Sequence, residues 1–580
     1  MKNGLMAGMA GFIRVVAIGG LALAALLAAS PAQAQDAVEP AGDGTAGNPF
    51  QITQMGHLVW MAATVDASAG KHYSLLNDID ASDTTNWNAG AGFSPIGDNA
   101  VPFLGILNGN GNAIRHLVIN RPGENEVGLI GFMESPALVR DLRLENGTVA
   151  ASSYVGGLVG WINRGTVSNC TATGSVEANT TVGGLAGYNN EGTLSLCSFT
   201  GTVTGVNIVG GLVGENNGAI ADCSAASQVT GGDRAGGLAG INLSTVANSH
   251  ATGLVSGVSY IGGLIGRSSF GSIAGCSAAG DVAGLESAGG LVGYLYNGSL
   301  NACRASGSVM VSGTGWGAGG LVGYSTGSSL AACHATGPVT GRDGCGGLVG
   351  DNSYGSASRC YAAGAVTGSD YVGGLMGYNG ASPVGDCYAT GDVTGTSGNV
   401  GGLVGFNHYT TVARCYASGF VTGSTWSGGL VGGEQRHCAR QLLGHEHNRK
   451  NLLGRRHGHV HGGHDAAGDI CRLGFHEHVA NHRKRNLPHL RPSSRTDHYR
   501  RVGQPGLRER RDGTNCVGYP DYHKQRKHGT DGQRHHVPGG LQRGLERKHP
   551  GRGKPGRDGD FQPRGFAGLR RHGDGGVGCG

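Results

Sequence analysis

Charged residues make up only 14% of this 580-residue chain and aromatic residues only 6%. Both are low for a globular enzyme, which draws its acids, bases and core rings from these types. No sustained 3.6-residue apolar period runs through the sequence, so a helical bundle is excluded. Only one apolar run exceeds a dozen residues, and at 15 residues (15–29) it is shorter than the 20 or so a membrane-spanning helix needs. The repetitive part contains no C-x-x-C pair, and a calcium-binding G-G-x-G-x-D repeat is missing. What the chain has instead is glycine, 114 residues of it. No strict three-residue period accompanies it, which excludes collagen. Val, Ile, Leu and Ala interleaved with the glycine argue against a disordered linker.

The N-terminus has the layout of an export signal. Lys2 and Arg14 precede the apolar run Val15 to Ala29, Pro31 breaks it, and Ala32-Gln33-Ala34 places small residues at a cleavage site. Cleavage after Ala34 is expected, giving a signal over 1–34, an exported secreted or cell-surface product, and no membrane span in the mature chain.

From residue 127 the chain repeats. The block Gly-Gly-Leu-x-Gly begins at Gly156, Gly183, Gly210, Gly236, Gly262, Gly289, Gly319, Gly346, Gly373, Gly401 and Gly428, after a degenerate copy at Val127–Gly131. The spacing is 26 to 28 residues except between Gly289 and Gly319, where it is 30. Each unit offers three short apolar runs, such as Val209–Val213, Ala219–Ala225 and Gln228–Thr230, separated by turn residues. A unit of about 27 residues cannot bury a core alone, but coils stacked on one another can. The expected fold is all-β: a parallel β-solenoid, right-handed, with 127–432 as the array and 35–126 as its N-terminal cap or flank. Leu158, Leu185, Leu212, Leu238, Leu264, Leu291, Leu321, Leu348, Leu375, Leu403 and Leu430 should form one row along its axis.

Three further rows follow from the register. Asn189, Asn216, Asn242, Asn352, Asn379 and Asn407 share one position, read as a turn where Asn tolerates left-handed backbone and amides hydrogen-bond along the stack. Trp161, Tyr188, Tyr294, Tyr324, Tyr378 and Phe406 form an aromatic row interrupted by Glu215, Arg267 and Asp351. Such a row can stack on sugar rings, but the interruptions favour packing between coils. Cys170, Cys197, Cys223, Cys276, Cys303, Cys333, Cys360, Cys387 and Cys415 form the third, with Ser249 in the remaining coil. Strand neighbours lie about 4.7–4.9 Å apart, and disulfides need Cβ atoms about 3.5–4.5 Å apart. Nine residues also cannot pair completely, so buried thiols acting as small apolar side chains are expected.

The repeats resemble the GLUG motif, found in bacterial surface proteins that include filamentous-haemagglutinin-like adhesins and some IgA-specific metallopeptidases. The resemblance runs from about Gly42 to Gly432. It takes in Gly47-Asn48-Pro49-Phe50-Gln51-Ile52, Asn77-Asp78-Ile79-Asp80 and the stretch Phe103–Gly111. It implies an adhesin-like surface protein.

Charge divides the chain: 1–431 holds 14 Lys/Arg against 25 Asp/Glu, while 432–580 holds 30 against 14, with 18 of the 24 His. A basic tail commonly signals nucleic-acid binding, but this one starts where the repeat stops short. Back-translating Gln441–Arg449 and reading one nucleotide later permits S-Y-W-D-T-N-T-T-G. The same operation from Gly433 permits E-N-S-G-T-V-R-D, which resumes the repeat in register. Residues 433–580 are therefore read as a frame-shifted, disordered segment. The rival reading is a genuine basic domain binding metal or nucleic acid, pointed to by His457–His461, His476–His478, Arg483–Arg485 and Arg508–Arg511. His476-Glu477 lacks the second His of a zinc-peptidase helix, and the basic clusters lack interleaved aromatics.

An enzyme would need carboxylates brought together from neighbouring coils. The candidates Asp222, Asp233, Asp281, Glu286, Asp343, Asp351, Asp370, Asp386 and Asp392 are scattered, mostly in turns. The expectation is a non-enzymatic exported solenoid for adhesion or surface display, with no catalytic, cofactor or metal residue. Its partner is an unidentified surface ligand, either a carbohydrate or a cell-surface protein, and not nucleic acid. A polysaccharide lyase or hydrolase is the alternative.

Overall fold

The computed structural model describes residues 36–423 and 426–435. The expected signal and its cleavage point at Ala34 lie outside the described residues, as does the tail beyond residue 435. The basic and His-rich clusters go with it.

The described chain winds into a parallel β-solenoid of about 14 coils of about 27 residues. Every pairing between named strands is parallel and joins a strand to its equivalent in an adjacent coil. In one coil the strands are Met376–Gly380, Val384–Gly385, Tyr388–Ala389, Val393–Gly395 and Val400–Gly401. That is more than the three pieces the apolar runs suggest, because short turns cut the runs into smaller strands. In earlier coils the pieces fuse, as in Thr171–Gly183 and Ser198–Gly210.

Parallel pairing reaches further back than residue 127. Phe50–Ile52 pairs with His72–Leu75, which pairs with Ile106–Asn108, which pairs with Leu138–Arg140. The 35–126 flank thus contributes coils of its own. It also contains a helix, Met55–Ala63, whose Leu58 and Met61 enter the core and whose Trp60 meets Phe50 edge-on at 5.0 Å between ring centroids.

The leucines form one continuous row. Each amide N–H from Leu158 to Leu403 donates to the carbonyl of the next leucine in the series, ending at Leu430, at 2.8–3.0 Å. The same carbonyl accepts a second amide, from the residue after the preceding leucine: Leu212 O takes both Leu185 N and Ala186 N. Leu158 to Leu403 are fully buried and Leu430, in the last described coil, is half-buried. The second glycine of the block is required by close approach. A Cβ on Gly374 would collide with the Gly402 carbonyl oxygen and press on Ala389.

The asparagine row differs from expectation in its backbone. These residues lie inside strands, with Asn189 in Ala186–Ser195 and Asn216 in Val213–Ala221, and they point inward and are buried. The left-handed corners fall elsewhere, for instance at the residue before each row cysteine and before Ser249: Asn169, Leu196, Asp222, Asn248, Gly275, Ala302, Ala332, Arg359, Asp386 and Arg414. The amides do form a ladder. Asn189 Nδ2 donates to Asn216 Oδ1 at 2.7 Å, and Asn216 Nδ2 to Asn242 Oδ1 at 2.8 Å. A second run joins Asn352, Asn379 and Asn407 at 3.2 and 2.9 Å. Donation always runs toward the C-terminus, so the first oxygen of each run, on Asn189 and Asn352, has no hydrogen-bond partner.

The cysteine row is buried and unbridged, but its members do more than fill apolar space. Each thiol from Cys170 to Cys415 donates to the carbonyl two residues earlier at 3.1–3.3 Å. Several sulfurs accept the amide N–H of the preceding coil, as Cys333 Sγ does from Cys303 and Cys360 Sγ from Cys333. Ser249 makes both bonds with its hydroxyl, to Ala247 O at 2.7 Å and from Cys223 N at 3.1 Å. Serine replaces cysteine there because the position asks for a small donor-acceptor, a polar role the apolar reading missed.

Candidate functional site

Two outward rows run side by side along the coils. One is the aromatic row, five residues after the first glycine of each block. The other lies two residues before that glycine, at Tyr154, Thr181, Ile208, Arg234, Tyr260, Ser287, Gly317, Gly344, Tyr371 and Asn399. Where this second row carries a ring, the ring covers the aromatic row of its own coil or the next. Tyr154 contacts Trp161 and Tyr188 at 4.8 and 6.0 Å, Tyr260 stacks on Tyr294 at 5.2 Å, and Tyr371 meets Tyr378 and Phe406 at 6.3 and 5.7 Å. Most of the aromatic row is therefore packed between coils.

In three consecutive coils the covering residue is Ser287, Gly317 and Gly344, and the cover is missing. An open depression of about 510 Å³ lies there, lined by Tyr260, Glu286, Ser287, Tyr294, Gly315, Trp316, Tyr324 and Asp351. Its size is within the usual range of small-molecule sites. Tyr294, Tyr324 and Asp351 belong to one row, in register with one another. Tyr260 stands over Tyr294 at one end.

Trp316 stands at the other end and belongs to the irregular coil. Three extra residues between Gly289 and Gly319 give that coil its 30-residue length. They fall in the segment after Val309–Val311 and before Trp316–Gly319. The indole lies over the bare backbone of Gly344, where a Cβ would meet it at 2.7 Å. It leans on Tyr371 at 4.9 Å and donates Nε1–H to Asp351 Oδ2 at 3.1 Å. Ser287 Oγ fixes the same segment by donating to Trp316 O at 2.9 Å.

Asp351 sits where most coils carry a ring and is only 6% exposed. Burial pushes its carboxyl up to about 6, against the lowering effect of hydrogen bonds from Ser353 Oγ, at 2.7 Å, and Trp316. Burial, together with the Asp351 charge, also pushes the Tyr324 phenol up to about 12. Glu286 is exposed at the rim and accepts a hydrogen bond from Ser259 Oγ at 2.6 Å.

Of the scattered carboxylates, only Glu286 and Asp351 line this depression. Four of the others hold coil to coil. Asp281 accepts from Ser308 N and Oγ, Asp392 from Phe420 N, Asp370 from Asn399 Nδ2, and Asp386 pairs with both Arg414 nitrogens at 2.6 and 2.8 Å. Among the described residues no group of three or more His, Cys, Asp or Glu is placed to hold a metal ion, and no helix is long and apolar enough to cross a membrane.

A second aromatic stack went unnoticed in the sequence. His334, Tyr361, Tyr388 and Tyr416, each one residue after a row cysteine, stack at 4.7, 4.9 and 5.0 Å with rings parallel to within 3°. Each ring covers a face of the next, so this stack packs coils, with Tyr416 exposed at its end. The depression was also overlooked. Its two signals were the 30-residue spacing and three successive small residues two places before the glycine block.

The motif described as the GLUG motif matches residues 151–177, 257–283, 284–310, 314–340 and 396–422. Halomucin of Haloquadratum walsbyi is 38% identical over 137 residues, 23% of this chain and 2% of halomucin. A protein of Evansella cellulosilytica, provisionally named a Gly-rich membrane protein, is 37% identical over 143 residues, 24% of this chain and 16% of its own length. The chain thus spans a small part of each relative. Among solved structures, a Bacteroides ovatus protein provisionally named an immunoglobulin A1 protease is 19% identical, with a TM-score of 0.34 over 49% of this chain and 86% of its own.

Proposed function

We propose, from the premise that this is a GLUG-motif repeat protein folded as a parallel β-solenoid, that it is an exported, non-enzymatic scaffold acting in adhesion or surface display. The observation that carries this reading is how the acidic side chains are used. Asp281, Asp370, Asp386 and Asp392 each bond to the following coil, which strengthens the stack and leaves them no part in proton transfer. Asp351 has one oxygen held by Trp316 and the other by Ser353, the environment of a fixed acceptor. A solenoid of this kind supplies a long, stiff surface on which one binding feature is held at a set position. The relatives carrying the same repeats, halomucin and the Gly-rich membrane protein, have names that point to the cell surface or membrane.

The test uses the producing cell. Protease applied to intact cells should remove the protein, and deletion of its gene should reduce attachment to a surface the wild type colonises. Retention inside the cell, unchanged attachment of the deletion strain, or release of reducing ends from polysaccharide by the purified chain would overturn this function.

A further inference from the structure

We infer that the depression between Tyr260 and Trp316 is a binding site for a neutral sugar ring of a glycan chain, which the scaffold presents to its surroundings. This rests on the adhesion reading and names the ligand class for it.

The argument begins with what is missing. At Tyr154, Tyr260 and Tyr371 a ring two places before the glycine block closes over the aromatic row, and ring-on-ring packing buries apolar carbon that water would otherwise wet. Between Tyr260, which covers Tyr294, and Trp316, which covers Asp351, the Tyr324 ring has no such cover, because Ser287 and Gly317 stand in its place and the depression opens there. The Tyr324 ring is half-buried at the floor of the depression. A flat ligand with an apolar face can take the place of the missing cover. A pyranose fits that description: its axial C–H groups form an apolar face and its hydroxyls point outward around the rim.

The polar groups agree. The lining holds two carboxylates, Glu286 and Asp351, and no Lys or Arg. Carboxylates accept hydrogen bonds from hydroxyls and repel anions, so neutral sugars are favoured over sialic or uronic acids. The second end of the site is built independently. The lengthened coil carries Trp316 across Gly344 onto Asp351, so that the indole and the carboxylate are fixed together before a ligand arrives. Preorganisation of this kind spares the ligand the cost of ordering the site. The Tyr260–Tyr294 centroid separation of 5.2 Å leaves no room between those rings for a cation, so this is an open platform with no closed ammonium cage.

The full chain is titrated by calorimetry with cellotetraose and chitotetraose as neutral probes, sialyllactose as the anionic probe and choline as the cationic one. Saturable binding of a neutral oligosaccharide is expected. Trp316→Ala should weaken it at least tenfold. Gly317→Tyr puts back the ring that Tyr154, Tyr260 and Tyr371 supply in other coils; its Cβ would press on the Gly323 carbonyl oxygen at 3.0 Å, so folding is checked beside binding. It should abolish binding while circular dichroism still shows the folded solenoid, with a melting temperature lowered by the local strain. Failure of both neutral probes to bind, wild-type affinity in both variants, or preference for sialyllactose or choline would overturn the inference. The readout is on purified protein, so it is independent of attachment by cells. Binding without attachment would sink the adhesion reading and spare the site, and attachment without binding would do the reverse.

Discussion

Replacing Asp351 by Asn tests whether the depression is built around a buried carboxyl. Asn keeps an oxygen to accept from Trp316 Nε1 and places an amide beside Ser353 Oγ, so the local geometry survives while the ionisable group is removed. In the folded chain the carboxyl titrates at about 6 against an ordinary value of 3.8. The gap amounts to about 3 kcal/mol of differential stability between the protonated and ionised forms. The folded pKa is raised, so the folded state binds the proton more tightly than the unfolded chain. The stabilisation is therefore complete below about pH 4 and is lost as pH rises through 6. The wild type should pay this cost at pH 8 and the Asp351→Asn variant should not. The substitution should thus stabilise the coils around Tyr324 and Tyr378 by up to about 3 kcal/mol at pH 8 relative to pH 4, the wild type being measured in parallel. Repeat arrays need not unfold in one step, so hydrogen exchange of amides in 322–326 and 376–380 is the suitable assay, run from pH 4 to 8 with the intrinsic exchange rate corrected. The other carboxylates are common to both chains and cancel in the difference. A difference that does not change with pH would refute the reasoning.

Leu212→Asp places an unpaired charge in the leucine row and should open several neighbouring coils, at a cost of several kcal/mol; limited proteolysis without new cleavage in 185–240 would contradict it. Asn216→Ala removes the middle of the first amide ladder, taking one donor from Gly218 O and leaving Asn242 Oδ1 with only the long bond from Ser244 N–H at 3.5 Å. At about 1–3 kcal/mol for each buried group left unsatisfied, the loss should show as an earlier denaturant midpoint, and an unchanged midpoint would count against the ladder. Cys333→Ser should be tolerated within about 1 kcal/mol because Ser249 already makes the same bonds, whereas Cys333→Val leaves Cys303 N–H without an acceptor and should cost about 1–3 kcal/mol. Equal melting temperatures for the two variants would show that the row is merely apolar.

The sequence by itself determined the period, the parallel stacking and the membership of each row. A five-residue block recurring every 27 residues or so admits few other solutions, since a unit without its own core must pass its apolar side chains to its neighbours. Leu158 through Leu430, the nine cysteines and the asparagines could all be assigned to rows from register alone. Tertiary structure decided what each row does. Asparagine suits both a left-handed turn and an inward amide ladder, and only the burial of Asn189 and Asn216 separates them. Cysteine serves as apolar filler or as a hydrogen-bonding group, and the thiol-to-carbonyl bonds with the stand-in Ser249 decide between these. The depression was the least legible feature, because it depends on side chains of successive coils, such as Trp316 and Asp351, 35 residues apart in sequence, lying side by side. Asp351 looked like a flaw in an aromatic row. In space it is the buried, fixed partner of Trp316, and that juxtaposition comes from the lateral spacing of the winding, which a one-dimensional pattern does not contain.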